Sequence, residues 1–351
     1  MRPPDTTLRI ESLQWLRALA AMMVLIGHVL EEAAHYRGIG AGAAALPWTR
    51  GVDVFFVISG FVIALVGQRH AGSPSGAGAF FMRRVIRVVP LYWLFTTLMV
   101  AALVVTPGGV KETELDPGQI VASYLFLPYE RYDGRIAPVL SLGWTLNYEM
   151  FFYLLAAVAL VWRWPRTAGI LTGLLLALAL AGWCVAPETT AARFWTSSIL
   201  LEFGFGVLIA LWWQRHGSRH RPVIAGVLFL SGVAALVLLH GSGLPRFLGA
   251  GLPAGMMVAG PVLFLARGGG AAGRIGVALG DASYALYLSH RFVLRLATLA
   301  LLPLVPATGT GLCLFVALVT VTATVLSLLV FRHLERPVLA LLNRRLAPAA
   351  A

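Results

Sequence analysis

Ten times along its length this chain runs through seventeen or more mostly apolar residues, near 12–34, 51–67, 81–106, 139–163, 168–186, 195–213, 222–240, 247–266, 280–303 and 309–333. Helices of such length match the roughly 30 Å of hydrocarbon in a bilayer. Lipid offers the backbone no hydrogen-bond partner, so such runs must satisfy themselves as helices. The composition agrees: 59% of residues are hydrophobic, 12% are charged, and the mean hydropathy is +0.82. A soluble domain of 351 residues cannot bury that much apolar surface. The expected fold is an all-α polytopic membrane protein, one bundle of about ten transmembrane helices forming a single domain over 1–351. The stretch 118–128 is too short to span and is expected at the interface or as a re-entrant segment. The first run carries Arg17 and His28 and has no clear small-residue cleavage site after it, which argues against a signal peptide.

The net charge of +12 suits the positive-inside rule better than a nucleic-acid partner. With the amino terminus inside, sixteen arginines fall in inner segments: Arg2, Arg9, Arg69, Arg83, Arg84, Arg163, Arg166, Arg215, Arg219, Arg221, Arg267, Arg274, Arg332, Arg336, Arg344 and Arg345. Seven basic residues fall outside: Arg37, Arg50, Lys111, Arg131, Arg135, Arg193 and Arg246. Both termini are therefore expected in the cytoplasm. The longest loop, about 107–138, lies outside with Glu112, Glu114, Asp116, Glu130 and Asp133, and either orders against a polar partner or is a solvated connector. Cys184 and Cys313 both lie in apolar runs, so neither a disulfide framework nor a metal site is expected.

Ionisable groups inside the spans carry the functional signal, because they are costly in lipid and mark pathways or reaction centres. Arg17 and His28 lie eleven residues apart on the first run. Three helical turns put them on one face, roughly 16 Å apart along the axis. The alternative is a snorkelling arginine and a hydrogen-bonded core histidine. Arg84 and Arg87, in FFMRRVIRVVPLYWL, share a helix face and suit bidentate phosphate binding, although Arg84 also serves as an ordinary inner anchor. Glu149, in SLGWTLNYEMFFY, comes out at the depth of His28, while Arg17 and Arg87 lie nearer the cytoplasm. A His28–Glu149 pair would be a general base. The ninth run, GDASYALYLSHRFVLRL, sets Tyr284, Tyr287, Arg291 and Arg295 on one stripe and Ser283, Tyr287 and His290 on an adjoining face. These line the same cavity or serve as interhelical hydrogen-bond partners. Glu202 is a mid-span carboxylate with no evident partner. The chain has no Walker loop, no GxSxG elbow and no HExxH. A transporter of an anionic solute or lipid-linked sugar would use similar groups.

The ordered blocks QWLRALAAMMVLIGH, GVDVFFVISGFVI, FFMRRVIRVVPLYW, SLGWTLNYEMFFY and GDASYALYLSH, with a closing HLERP, resemble the acyltransferase-3 family of integral membrane acyltransferases, in particular its exopolysaccharide-modifying branch. The likeness covers nearly the whole chain. It implies ten helices in a bacterial inner membrane and transfer of an acyl group, usually acetyl from acetyl-CoA, to a hydroxyl of a glycan or lipid-linked saccharide. It matches the family's first-span Arg and His to Arg17 and His28, and its Arg-x-x-Arg to Arg84 and Arg87. Trp144 and Glu149 match the fourth block; Ser283, Tyr284 and His290 match the late block. On that likeness Arg17, Arg84 and Arg87 take the phosphates of CoA. His28 is the general base or a transient acyl carrier, with Glu149 steadying its ring. Neither route requires a metal.

Overall fold

The computed structural model describes residues 10–106, 115–265 and 270–346. Arg2, Arg9, Lys111, Glu112, Glu114 and Arg267, used above for orientation, lie outside the described residues. Among the described residues no strand forms, and a single bridge, Glu130 with Ile136, closes a turn. The helices of eight or more residues are α1 (Glu11–Arg37), α2 (Gly51–Gly67), α3 (Pro74–Val105), α4 (Pro117–Tyr124), α5 (Trp144–Ala159), α6 (Arg166–Val185), α7 (Leu200–His216), α8 (Pro222–Leu238), α9 (Leu252–Phe264), α10 (Gly270–Asp281), α11 (Ser283–Ala300), α12 (Gly309–Val330) and α13 (Arg336–Leu346).

Each of the ten apolar runs overlaps one of these helices over most of its length. Seven helical stretches among the described residues are long and apolar enough to cross a membrane, those holding α1, α2, α3, α6, α7, α9 and α12. The other three fall short for physical reasons. Helix α5 has 16 residues and carries Glu149, α8 has 17 residues, and α11 carries His290, Arg291 and Arg295. Val105, Trp183, Leu238 and Leu304 stand on the bundle exterior, the side suited to lipid.

Local chemistry shifts several expected boundaries. The Ser73 hydroxyl accepts from the Gly76 amide and Pro74 takes the first helical position, so α3 starts seven residues before the expected 81. Arg84 and Arg87 thereby sit about three turns into a continuous helix. The run beginning at 139 opens with a 3-10 turn, Ser141–Gly143, and α5 starts only at Trp144. The ninth run breaks at Ala282, so α10 and α11 are separate helices. Asp116 caps α4, whose eight residues match the short segment expected between spans.

Helix α1 packs against α2, α10, α11 and α12, which makes it the pillar of the bundle. Helices α2 and α7 approach through two glycines. A Cβ at Gly60 would stand 2.0 Å from the Phe203 carbonyl oxygen, and one at Gly206 would stand 2.0 Å from that of Val57. Small residues at such crossings let backbones meet where lipid supplies no hydrophobic drive.

Candidate active site

Two cavities lie along α1. The first spans about 890 Å³ with its open mouth included, and gathers Arg17 from α1, Ser59 from α2, Arg84 and Arg87 from α3, Glu149 and Tyr153 from α5, and Tyr284 from α11. Three guanidinium groups thus converge from two helices. Arg84 stands over the Tyr153 ring at 6.0 Å, and Arg87 over the Tyr284 ring at 5.5 Å. The Tyr284 hydroxyl donates to the Val88 carbonyl at 2.8 Å, which ties α11 to α3. Glu149 accepts from the Ser59 hydroxyl at 2.9 Å and from Tyr153. Ser283 lines this cavity, but its hydroxyl donates to the Gly280 carbonyl at 2.7 Å across the α10–α11 break.

Arg87 also ion-pairs with Glu335, a buried residue of the π-helical turn Phe331–Glu335 that follows α12. Glu335 belongs to the closing HLERP block, so that block reaches the arginine chamber through its acid.

The second cavity is larger, about 1820 Å³ with its open mouth included. His28, Trp144, Arg246 and Arg291 line it, with Arg131 and Arg135 from the loop before α5. Val52 and Tyr287 line both cavities and form their common wall. Tyr287 is pinned there, its hydroxyl 2.8 Å from that of Thr145 and 3.0 Å from the Leu142 carbonyl, to which it can donate.

The expected His28–Glu149 pair does not form. His28 Nδ1 lies 3.1 Å from a carboxylate oxygen of Glu31, three residues further along α1. Glu149 lines the other cavity, and neither residue hydrogen-bonds or ion-pairs with the other. The two side chains line different cavities, whatever their depth by residue count. Glu31 was readable in principle, since i,i+3 neighbours share a helix face. A proton on His28 Nδ1, directed at Glu31, leaves Nε2 as a lone pair.

His290 does not line either cavity. It is buried and backs His28, the two rings stacked with centroids 5.5 Å apart. Its Nδ1–H donates to the Leu286 carbonyl at 3.0 Å. Trp144 also lies away from Glu149, on the His28 side, under the Arg246 guanidinium at 5.2 Å. Arg246 makes a two-pronged bond to the fully buried Asp53, at 2.8 and 3.0 Å, and approaches Glu202 at 3.6 Å. This triad supplies the partner that Glu202 lacked in the sequence, Arg246, which lies 44 positions from Glu202 and 193 from Asp53.

Outside the spans, the loop before α5 forms a braced roof. Tyr129 donates to Asp116 at 2.7 Å, and the Gly118 and Gln119 amides donate to the same carboxylate at 2.7 and 3.1 Å. These bonds, the phenol first, hold the Asp116 carboxyl below its ordinary range and push the Tyr129 phenol up. Asp133 is held low chiefly by its hydrogen bond from Arg135, and it lies 3.6 Å from Arg131. Among the described residues no cluster of three metal-ligating side chains occurs.

Comparison with known proteins adds an independent line. A family model described as an acyltransferase domain matches residues 10–332. The exopolysaccharide production protein ExoZ of Rhizobium meliloti is 34% identical over 322 residues, 90% of this chain and 94% of that protein. Nodulation protein 10 of Rhizobium leguminosarum bv. viciae is 32% identical over 47% of this chain and 49% of its own length. The acyltransferase MdmB of Streptomyces mycarofaciens is 26% identical over 83% of this chain and 81% of its own. No solved structure matches.

Proposed function

The chain belongs to this family of membrane acyltransferases, and from that premise we propose that it moves an acetyl group from acetyl-CoA to a hydroxyl of a glycan, either exopolysaccharide or a lipid-linked saccharide. The observation that carries the proposal is the pair of cavities sharing Tyr287, one lined by three guanidiniums and the other by a histidine with a carboxylate on its Nδ1.

In this reading all ten apolar helices cross a bacterial inner membrane with both termini in the cytoplasm. The Arg17 end of the bundle then faces the cytoplasm, where CoA is found. Arg17, Arg84 and Arg87 take its phosphates, since a guanidinium fork matches two phosphate oxygens at once. The thioester reaches past Tyr287 toward His28. The acceptor hydroxyl approaches from the Glu31 side, and His28 Nε2 takes its proton as the oxygen attacks the thioester carbonyl. The tetrahedral intermediate expels the CoA thiolate, and the imidazolium returns the proton to sulfur. Glu31 fixes the tautomer and stabilises the charged ring. An acyl-His28 intermediate uses the same residues in two displacements. Glu149 acts within the donor chamber, as counter-charge to the arginines.

Incubation of purified protein with acetyl-labelled acetyl-CoA and extracted glycan tests this. Label on the glycan, lost in His28→Ala at matched protein level, is the expected result. Intact acetyl-CoA with accumulation of a solute in vesicles would instead identify a transporter.

A further inference from the structure

The second cavity is more cationic than a neutral sugar requires. Five guanidiniums face it, Arg50, Arg131, Arg135, Arg246 and Arg291, and they come from four separate segments of the chain. Two carboxylates, Glu31 and Glu32, line it as well, and the first is engaged by His28. Three of the arginines are held in place by acids that do not line the cavity. Asp53 grips Arg246, while Asp133 lies 2.7 Å from Arg135 and 3.6 Å from Arg131. Arg50 and Arg291 have no ion-pair partner among the described residues. The Arg131 side chain is 3% exposed, yet its Nε makes no hydrogen bond. Buried cationic donors left unmatched are costly, and an anion satisfies them with charge-assisted bonds.

We propose that this cavity is an anion-recognition site, so that the acceptor saccharide carries a fixed negative charge, a sugar carboxylate or the diphosphate of a lipid carrier. As a statement about the acceptor it rests on the acyl-transfer reading; as a binding site it is tested without donor. Because His28 lines the same cavity, an anion held by Arg50 and Arg291 sets which hydroxyl meets the base. Charge complementarity of this kind selects partners and fixes register.

The test is titration of the full chain in nanodiscs of zwitterionic lipid with three probes: tetragalacturonate, its carboxyl-reduced neutral counterpart, and inorganic pyrophosphate. The expected result is that an anionic probe binds at least about 10-fold more tightly than the neutral one. That preference shrinks as salt rises from about 50 to 500 mM. Arg50→Gln and Arg291→Gln each weaken anion binding about 5-fold or more. Preference for tetragalacturonate assigns the sugar carboxylate, and preference for pyrophosphate assigns the carrier diphosphate. Equal binding of all three probes, or no binding of either anion, overturns the proposal. So does anion binding lost in Arg84→Ala but kept in Arg50→Gln, since that places the anion in the other chamber. The salt dependence of the unmutated protein decides the matter should either variant fail to fold. With acetyl-CoA then supplied, transfer to the neutral probe alone overturns the acidic acceptor while sustaining acyl transfer. Anion binding with no transfer to any saccharide leaves the site standing and removes the acyl-transfer reading.

Discussion

His28 and Glu31 form a dyad within a single helix turn, Nδ1 to carboxylate oxygen 3.1 Å, on the wall of the cavity opposite the arginine chamber. The acid is therefore fixed to the base by local geometry, and helix rearrangement elsewhere does not separate them. His28→Ala is expected to lower acetyl transfer at least about 10²-fold, the usual worth of a positioned general base. Glu31→Gln keeps a weaker acceptor at Nδ1 and is expected to cost about 10-fold in kcat with little change in either KM. Initial rates at matched protein level check both, and a Glu31→Gln enzyme with normal kcat would show that the contact is incidental.

The donor chamber makes a different demand. Arg84→Ala and Arg87→Ala each remove a charged hydrogen-bond donor worth about 1.5–3 kcal/mol, so the KM for acetyl-CoA should rise at least about 10-fold. Arg215→Ala, at the carboxyl end of α7 and away from the chamber, serves as the control. Glu149→Gln is expected to shift donor KM while leaving kcat within about 3-fold. A collapse of kcat with unchanged KM would return Glu149 to the reacting centre.

Asp53 and Glu202 are both fully buried around one arginine, and they should respond to substitution unequally. Asp53→Ala leaves the Arg246 guanidinium without its two-pronged partner, a loss of about 3–5 kcal/mol for a broken buried pair. Neither oxygen of Glu202 makes a hydrogen bond. Glu202→Gln replaces a carboxyl that holds no hydrogen bond with an amide of nearly the same shape, so its cost should be far smaller than that of Asp53→Ala. Thermal unfolding in detergent compares the two. A larger loss in Glu202→Gln than in Asp53→Ala would reverse the assignment.

The loop brace at Asp116 gives a pH window. Its carboxyl is held below the ordinary range, so its contribution is complete above about pH 4 and lost as pH falls through the folded value. Tyr129 is shifted up, so its contribution is complete below about pH 10 and lost as pH rises through its folded value. Exchange protection of the Gly118 and Gln119 amides should follow this window and fade at both ends. Asp116→Ala should abolish the protection at every pH. Protection at Gly118 that persists in Asp116→Ala would mean the cap is not what orders α4.

Much of this molecule was legible in one dimension. Apolar length marked the all-helical class and the seven helical stretches long and apolar enough to cross a membrane, because a chain in lipid must close its own hydrogen bonds. The spacing of Arg17 from His28, and of Arg84 from Arg87, followed from helical pitch, since residues on one helix keep a fixed angular relation. Convergence of Arg17, Arg84, Arg87 and Tyr284 on one chamber matched the blocks that carry the family likeness.

Packing decided what pitch cannot reach. Counting residues gives a side chain's depth along its own helix, but the direction it faces relative to another helix depends on how the two are rotated and where they cross. Counting residues sets His28 and Glu149 level, and yet they line separate cavities. Asp53, Glu202 and Arg246 look unrelated in sequence and meet because Gly60 and Gly206 let α2 and α7 close to contact. Glu335 reaches Arg87 across 248 residues through a π-helical turn. In each case the contact, made or missed, rests on interhelical rotation, which is set by side-chain packing over whole helix faces and leaves no local mark in the sequence.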